Sequence, residues 1–326
     1  MNQFDRAVEF QLDLQRVSKT LQADAIRILK RLERELVAEV SAGRYTHWRK
    51  ARIEAQLKTV RDSIADYYDE AAAATMQSSA SIATSAARST VVGMGPGAVL
   101  PSTEVLSSIV SNAVVQGAPM TAWWNKQAAD TAFKFSVAVG QGLVAAETNQ
   151  QIVNRVLDVM TVSKANAAAL VQTTVATVAS DAAKAVAADN ADIIKRIRAV
   201  ETLDSRTCLR CMPLDGLEWE PDGTPIGHNI PLPSWPIHYN CRGLAIYRIT
   251  DEPPGGTRAT GEGQVAAKTT FNDWLDRQSK AKQEEILGQG RAELYRSGKI
   301  TLSDLTSGTG RPLTLKQLND KYNRED

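Results

Sequence analysis

The residues best equipped for chemistry are crowded into one short stretch. All three cysteines, Cys208, Cys211 and Cys241, and two of the three histidines, His228 and His238, fall between positions 208 and 241 of a 326-residue chain. Cys208 and Cys211 form a C-x-x-C pair, and His238 and Cys241 form an H-x-x-C pair after 26 intervening residues. Two such pairs suit tetrahedral zinc, because each tight turn presents two donors to one side of an ion and the longer loop closes the site. Four protein ligands leave no position for an activated water, so a zinc ion held this way is structural. His228 competes for the fourth position but has no ligand partner close in sequence. Two other readings stay open: the cysteines are reduced core residues, or Cys208 and Cys211 form a redox pair. A thioredoxin-like site would need a βαβ context that this stretch lacks, and the zinc-deaminase pattern would need an H-x-E that is absent.

Around these positions stand Asp204, Arg206, Asp215 and Arg242. Carboxylates and guanidiniums of this kind can orient metal ligands and fold loops onto a site, and they can equally be ordinary solvated charges. No nucleophile and base are paired in the sequence. His47, in a charged N-terminal segment, reads as a surface residue.

The elements that must position this stretch are mostly helical. Phe10, Leu14, Val17, Leu21, Ala25, Ile28, Leu32 and Leu36 recur at steps of three and four and predict a long amphipathic helix. After "SAGRYT", with Thr46 as the expected N-cap, Ile53, Leu57, Val60 and Ile64 predict a second helix and an antiparallel hairpin. The hairpin packs within the chain or offers a charged face to a partner assembly. Residues 71–90 keep helical propensity with little side-chain volume, and the glycines and proline of "VVGMGPGAVLP" predict a hinge or loop. Further helices are expected at about 104–117, 121–147 and 149–190, the last with a break near Thr161 to Ser163. Trp123 and Trp124 read as packing anchors, with a stacking platform for single-stranded nucleic acid as the alternative, disfavoured by the sparse basic residues around them.

Beyond Asp192 the pattern changes. "RIRAVETL" at 196–203 and "GLAIYRI" at 243–249 read as strands flanking the cysteine segment, with "LEW" as a short strand between turns. The expected fold is mainly α with a small α+β module: an elongated helical N-terminal region, a zinc-stapled β-rich module and a short helical C-terminal tail. The expected divisions are a helical hairpin at 1–92, an Ala-rich helical region at 93–192, the Cys/His module at 193–250, a flexible linker at 251–270 and a helical tail at 271–326. In the tail, Trp274, Leu275, Ile286 and Leu287 supply apolar contacts, Gly298 a C-cap, and Thr301 and Thr314 N-caps.

Composition narrows the function classes. With 38 Lys and Arg against 37 Asp and Glu, the net charge of +1 provides no global field for nucleic acid or anionic membrane. The N-terminus lacks the apolar core of a signal peptide, and the polar residues within 105–125 make a membrane span costly. Three cysteines at this spacing do not form a secreted disulfide framework, and a reducing compartment is expected.

"LDSRTCLRCMPLDGLEW" followed by "PIHYNCRG" resembles the Mu F-like family of phage minor head proteins. The family pattern falls on Asp204, Arg206, Thr207, Cys208, Cys211, Leu214, Asp215, Gly216, His238, Cys241 and Arg242. The resemblance covers roughly residues 150–250, and the tail is similar to the helical extension that often follows that domain. Gly243 departs from the pattern, since many relatives place another cysteine or a bulky residue there. The resemblance implies a non-enzymatic virion protein in the capsid interior near the portal, and in the host cytoplasm during assembly. It would assist head assembly, genome packaging or ejection. Implied partners are the portal protein, with the major capsid or scaffold protein and further copies of itself as additional contacts, and no membrane while in the capsid. Weak non-specific DNA contact could come from Arg206, Arg210, Arg242 and Arg248. The rival readings are a DNA-binding module and a His-Asn-His-type nuclease using His228; an effector carried in the head finds no active site in the tail.

Overall fold

The computed structural model describes residues 3–42, 50–307 and 310–322. Thr46 and His47 lie outside the described residues. Helices α1 (Gln3–Ser41) and α2 (Lys50–Met94) form the expected hairpin and pack on the later helix α5 (Asn149–Asp189) as well as on each other. The apolar stripe of α1 buries Ala25, Ile28, Leu32 and Leu36, joined by Leu29 and Val40. Val17 is exposed, and the neighbouring Ser18 takes the buried position, bonding Gln172 of α5 at 2.9 Å.

Helix α2 extends further than the sequence reading. The hinge expected at residues 91–101 begins only after Met94, where Gly95 (φ 94°) donates its N–H to the Val91 carbonyl and closes the helix. The Ser and Thr residues of its small-residue half are accommodated because their hydroxyls bond back to the preceding turn, Thr75 to Ala71 and Ser79 to Thr75, both at 2.8 Å. Small side chains then let α2 approach α5 closely, and Ala71, Ala83, Ala86 and Ala87 are buried.

Helix α3 (Thr103–Ser111) is shorter than expected, because Gln116 and Gly117 both adopt positive φ and turn a two-stranded hairpin. Its strands are β1 (Val114–Val115) and β2 (Ala118–Pro119). Helix α4 (Met120–Val144) buries Trp124 completely, and Trp123 donates to the Val115 carbonyl at 2.6 Å. Thr148 caps α5 with a capping box to Gln151, and α5 then runs without the expected break. Thr161 bonds its own helix at Leu157, and Ser163 bonds Thr131, itself bonded to Tyr68, in a buried hydroxyl chain joining α5, α4 and α2. One apolar core runs from Ala25 to Ile194.

The β-rich part follows. Strands β3 (Arg196–Val200), β4 (Glu218–Trp219), β5 (Pro225–Ile226) and β6 (Leu244–Arg248) form an antiparallel sheet in the order β5-β4-β3-β6. Residues 251–270, expected as a flexible linker, instead contain the hairpin of β7 (Thr257–Thr260) and β8 (Gly263–Ala266). The reason is Arg258: its guanidinium is buried in the sheet module and fixes the hairpin there. The tail holds α6 (Phe271–Asp276), α7 (Lys280–Leu287), α8 (Gln289–Arg296) and α9 (Leu315–Tyr322) around a separate apolar cluster that includes Phe271, Trp274, Leu275, Leu287 and Leu318. Leu203 and Met212 of the module complete that cluster. Thr301 forms a capping box with Asp304, Thr314 bonds Gln317 ahead of α9, and Gly298 (φ 71°) follows α8.

Candidate metal centre

Two tight turns bring three of the four candidate ligands, Cys208, Cys211 and His238, into one cluster and set Cys241 beside Cys211. After Cys208 the chain folds back so that the Cys211 and Met212 N–H groups both donate to the Cys208 carbonyl, at 2.9 and 3.1 Å. In the second turn Asn240 adopts φ 61°, a left-handed conformation that Asn tolerates, and Cys241 N–H donates to the His238 carbonyl. The Asn240 N–H is anchored on Thr173 of α5 at 3.1 Å. His238 Nε2 lies 3.1 Å from Cys208 Sγ and 3.2 Å from Cys211 Sγ, and Cys241 Sγ lies 3.9 Å from Cys211 Sγ. Donor atoms around a tetrahedral zinc, with bonds of about 2.0–2.3 Å, are separated by roughly 3.5–3.8 Å. Cys208, Cys211 and His238 fit such an ion in type and lie close enough to share it, somewhat tighter than the ideal spacing, whereas Cys241 stands beside Cys211 and outside the group of three.

Protonation divides the cluster: Cys208 and Cys241 are poised as thiolates, while Cys211 and His238 hold protons that a bound ion would have to displace. Cys208 is held down to about 3, chiefly by its hydrogen bond from the Cys211 thiol, with burial opposing and His238 helping. Cys241 is lowered to about 6 by Cys211 against the cost of burial, while Cys211 is raised by its two sulfur neighbours. The hydrogen bond to Cys208 raises His238 to about 9. Thiolate is the metal-binding form of cysteine. His238 Nδ1–H donates to the Tyr239 carbonyl at 2.6 Å, which leaves Nε2 facing the sulfurs, the arrangement that orients a metal-ligating histidine.

The surrounding charges separate into three roles. Arg242 grips Asp204 with two bonds of 2.7 and 2.6 Å and reaches Thr207, tying the residue after Cys241 to the turn before Cys208. Burial pushes Asp204 upward, but the Arg242 bonds and charge outweigh it and the carboxyl titrates below its usual range. Arg206 bonds the same carboxylate at 3.3 Å from an exposed position. Asp215 sits elsewhere. Fully buried, it accepts from Glu201 N–H at 2.8 Å, from Arg258 Nη1 and Nη2 at 2.9 and 3.0 Å, and from Phe271 N–H at 2.7 Å. It joins the β7–β8 hairpin and the tail to the sheet.

Three residues here escape sequence reasoning. Glu201, completely buried beside Cys241, is pushed well above the ordinary carboxylate range by burial first and the Cys241 charge second, and accepts from Trp235 Nε1 at 3.3 Å. A Cβ at Gly243 would collide with its carboxylate, so glycine is required there while Glu201 fills the space. Gln11 of α1, buried, donates to the Arg242 carbonyl at 2.9 Å and to the Val200 carbonyl at 3.4 Å. Arg258 is the third. Only Gln11 left a trace in the sequence: Gln11, Gln15, Ser18 and Gln22 form a polar line at helical spacing beside the apolar stripe.

His228 stands apart from the cluster. Its ring packs edge-on against Trp219 at 5.0 Å, its Nε2 bonds the Glu218 carbonyl at 2.9 Å, and its Nδ1 accepts from Ile230 N–H at 3.2 Å.

Residues 134–246 match the family model described as Phage Mu protein F like protein. This segment is a Mu F-like domain. It begins inside α4, takes in all of α5 and both cysteine turns, and ends in β6. No curated protein and no solved structure gives a significant match to the chain. Among the described residues no helix is long and apolar enough to cross a membrane.

Proposed function

We propose that this protein is a minor head component of a tailed phage, held near the portal vertex inside the capsid, which assists head assembly, genome packaging or ejection by binding rather than by catalysis. The Mu F-like domain carries this reading. A structural zinc on Cys208, Cys211, His238 and Cys241 would lock the two turns of that domain, with the Asp204–Arg242 pair bracing them. The portal protein is the principal partner in this reading, and the capsid or scaffold protein and further copies are secondary ones.

The nuclease alternative loses its base. Both ring nitrogens of His228 are engaged by backbone groups, so the neutral ring has no free nitrogen to accept a proton. Phosphate binding near the cysteines is weakened likewise, because Arg242 is spent on Asp204 and Arg248 on Glu218.

Quantitative mass spectrometry of mature particles and empty proheads tests the proposal. A small fixed ratio of this protein to the portal is the expected result, and a fall after genome release would add ejection. Absence from both particles would overturn it. Metal analysis of the purified protein tests the zinc: about one ion per chain is expected in the native protein and a clear loss in Cys208→Ser.

A further inference from the structure

Among the described residues, one helical face is left uncovered. On α4, Ala129, Phe133, Val137, Gly140 and Val144 recur at steps of four, four, three and four, so they share one stripe. Phe133 is 69% exposed, Val137 37% and Val144 79%. Lone surface hydrophobes need no explanation, but a line of them on one helix marks an interaction face. Gly140 strengthens the case. Glycine within a helix is destabilising, and here a Cβ would meet nothing within 4 Å in the chain, so no internal packing requires it. A second backbone approaching from outside would.

Charge selects the occupant. Asp130 and Lys134 lie on the same flank of the stripe, either side of Phe133 along the axis, and Asp130 is half-exposed even with Lys126 on one of its oxygens. When two helices pack antiparallel, like flanks face each other. A second copy related by a two-fold axis near Phe133 therefore sets Asp130 against Lys134 twice, once on each side of the axis. Parallel packing loses both pairings. Beside the stripe, a groove bordered also by Leu57, Phe133 and the charged Arg61 and Asp69 of α2 is lined by Ala65 of α2 and Ala128 and Ala132 of α4. Such small side chains leave room for the partner's phenyl ring. We infer that α4 is a homotypic docking surface, on which two copies of this chain pair antiparallel through Phe133, Val137 and Gly140.

The size of the surface sets its strength. At 1.5 Å per residue, α4 is about 37 Å long, and a strip roughly 10 Å wide buries a few hundred Å² per copy, below the roughly 800 Å² per partner of stable complexes. The pairing is weak in dilute solution and becomes dominant where copies are concentrated.

Sedimentation velocity of the full chain from about 1 μM to several hundred μM tests this. The expected result is a concentration-dependent monomer–dimer equilibrium, weakened at least tenfold by Phe133→Ser. Asp130→Lys and Lys134→Asp should each weaken it several-fold, while the double variant, which restores both cross pairs, recovers most of the affinity. All three positions are exposed, and circular dichroism should show unchanged helix content. A monomer throughout would overturn the inference, as would a dimer indifferent to Phe133→Ser, or one for which the double charge reversal is no better than the single ones.

Discussion

At the scale of single residues, the sharpest energetic statement concerns Asp215 and Arg258. Their side chains are 0% and 2% exposed, and the carboxylate accepts four hydrogen bonds. Removing one member of a buried pair leaves the other charge unpaired, at a cost of about 3–5 kcal/mol. Asp215→Ala should therefore lower stability by that order in chemical denaturation, and a loss below about 1 kcal/mol would show the guanidinium finding water instead. Asp204 gives a pH signature. Its folded pKa lies below the unfolded value, so its contribution is present above about pH 4 and is lost as pH falls through the folded pKa. Between pH 5 and 3 the native protein should lose stability more steeply than Asp204→Asn. Because acid removes metal from both proteins, the difference isolates this carboxylate; parallel slopes would remove it from the linkage.

At the scale of elements, two glycines two residues apart on α4 make opposite predictions. A Cβ at Gly142 would stand 2.5 Å from Ile152 Cγ1, in the tight turn joining α4 to α5. Gly142→Ala should destabilise by about 1–3 kcal/mol. Gly140 faces open space in the monomer, so Gly140→Ala should stabilise dilute protein by about 0.5–1 kcal/mol. Thermal melts of the two variants decide it, and shifts of the same sign would refute the packing assigned to this turn. The same elements show what the sequence could reveal. The long helices were legible because apolar periodicity is local, and the two ligand pairs because each turn is only four residues long. The break expected at Thr161 to Ser163 failed because low helix propensity is a small term that tertiary packing overrides: Ser163 is buried on Thr131, and Thr161 bonds back to Leu157 within the helix. The hairpin at 257–266 was hidden in a Gly- and Pro-rich segment because what orders it is Arg258 meeting Asp215, 43 residues away, a contact with no local trace.

At the scale of the whole molecule, the described residues divide their apolar burial unequally. The helical core from Ala25 to Ile194 needs neither cysteine turn, whereas the cluster around Cys211, Cys241, Trp219 and Trp235 is small and holds three of the four candidate ligands within it or against it. Small β modules of this kind rely on a staple, and metal binding then counts directly as folding free energy. The tail cluster depends on the module in turn, because Leu203 and Met212 belong to it and Asp215 anchors both Arg258 and Phe271. Chelation should accordingly act in order along these dependencies. Far-UV circular dichroism should keep most of its helical signal, while hydrogen exchange rises first in residues 201–243 and then in 257–305. The start of α1 should loosen with them, since Gln11 loses the Arg242 carbonyl and Asp5 the Thr257 N–H. Exchange that rises uniformly through α2 and α5 would mean that the core and the module fold as one unit, and exchange unchanged anywhere would mean that the sulfur cluster holds without an ion.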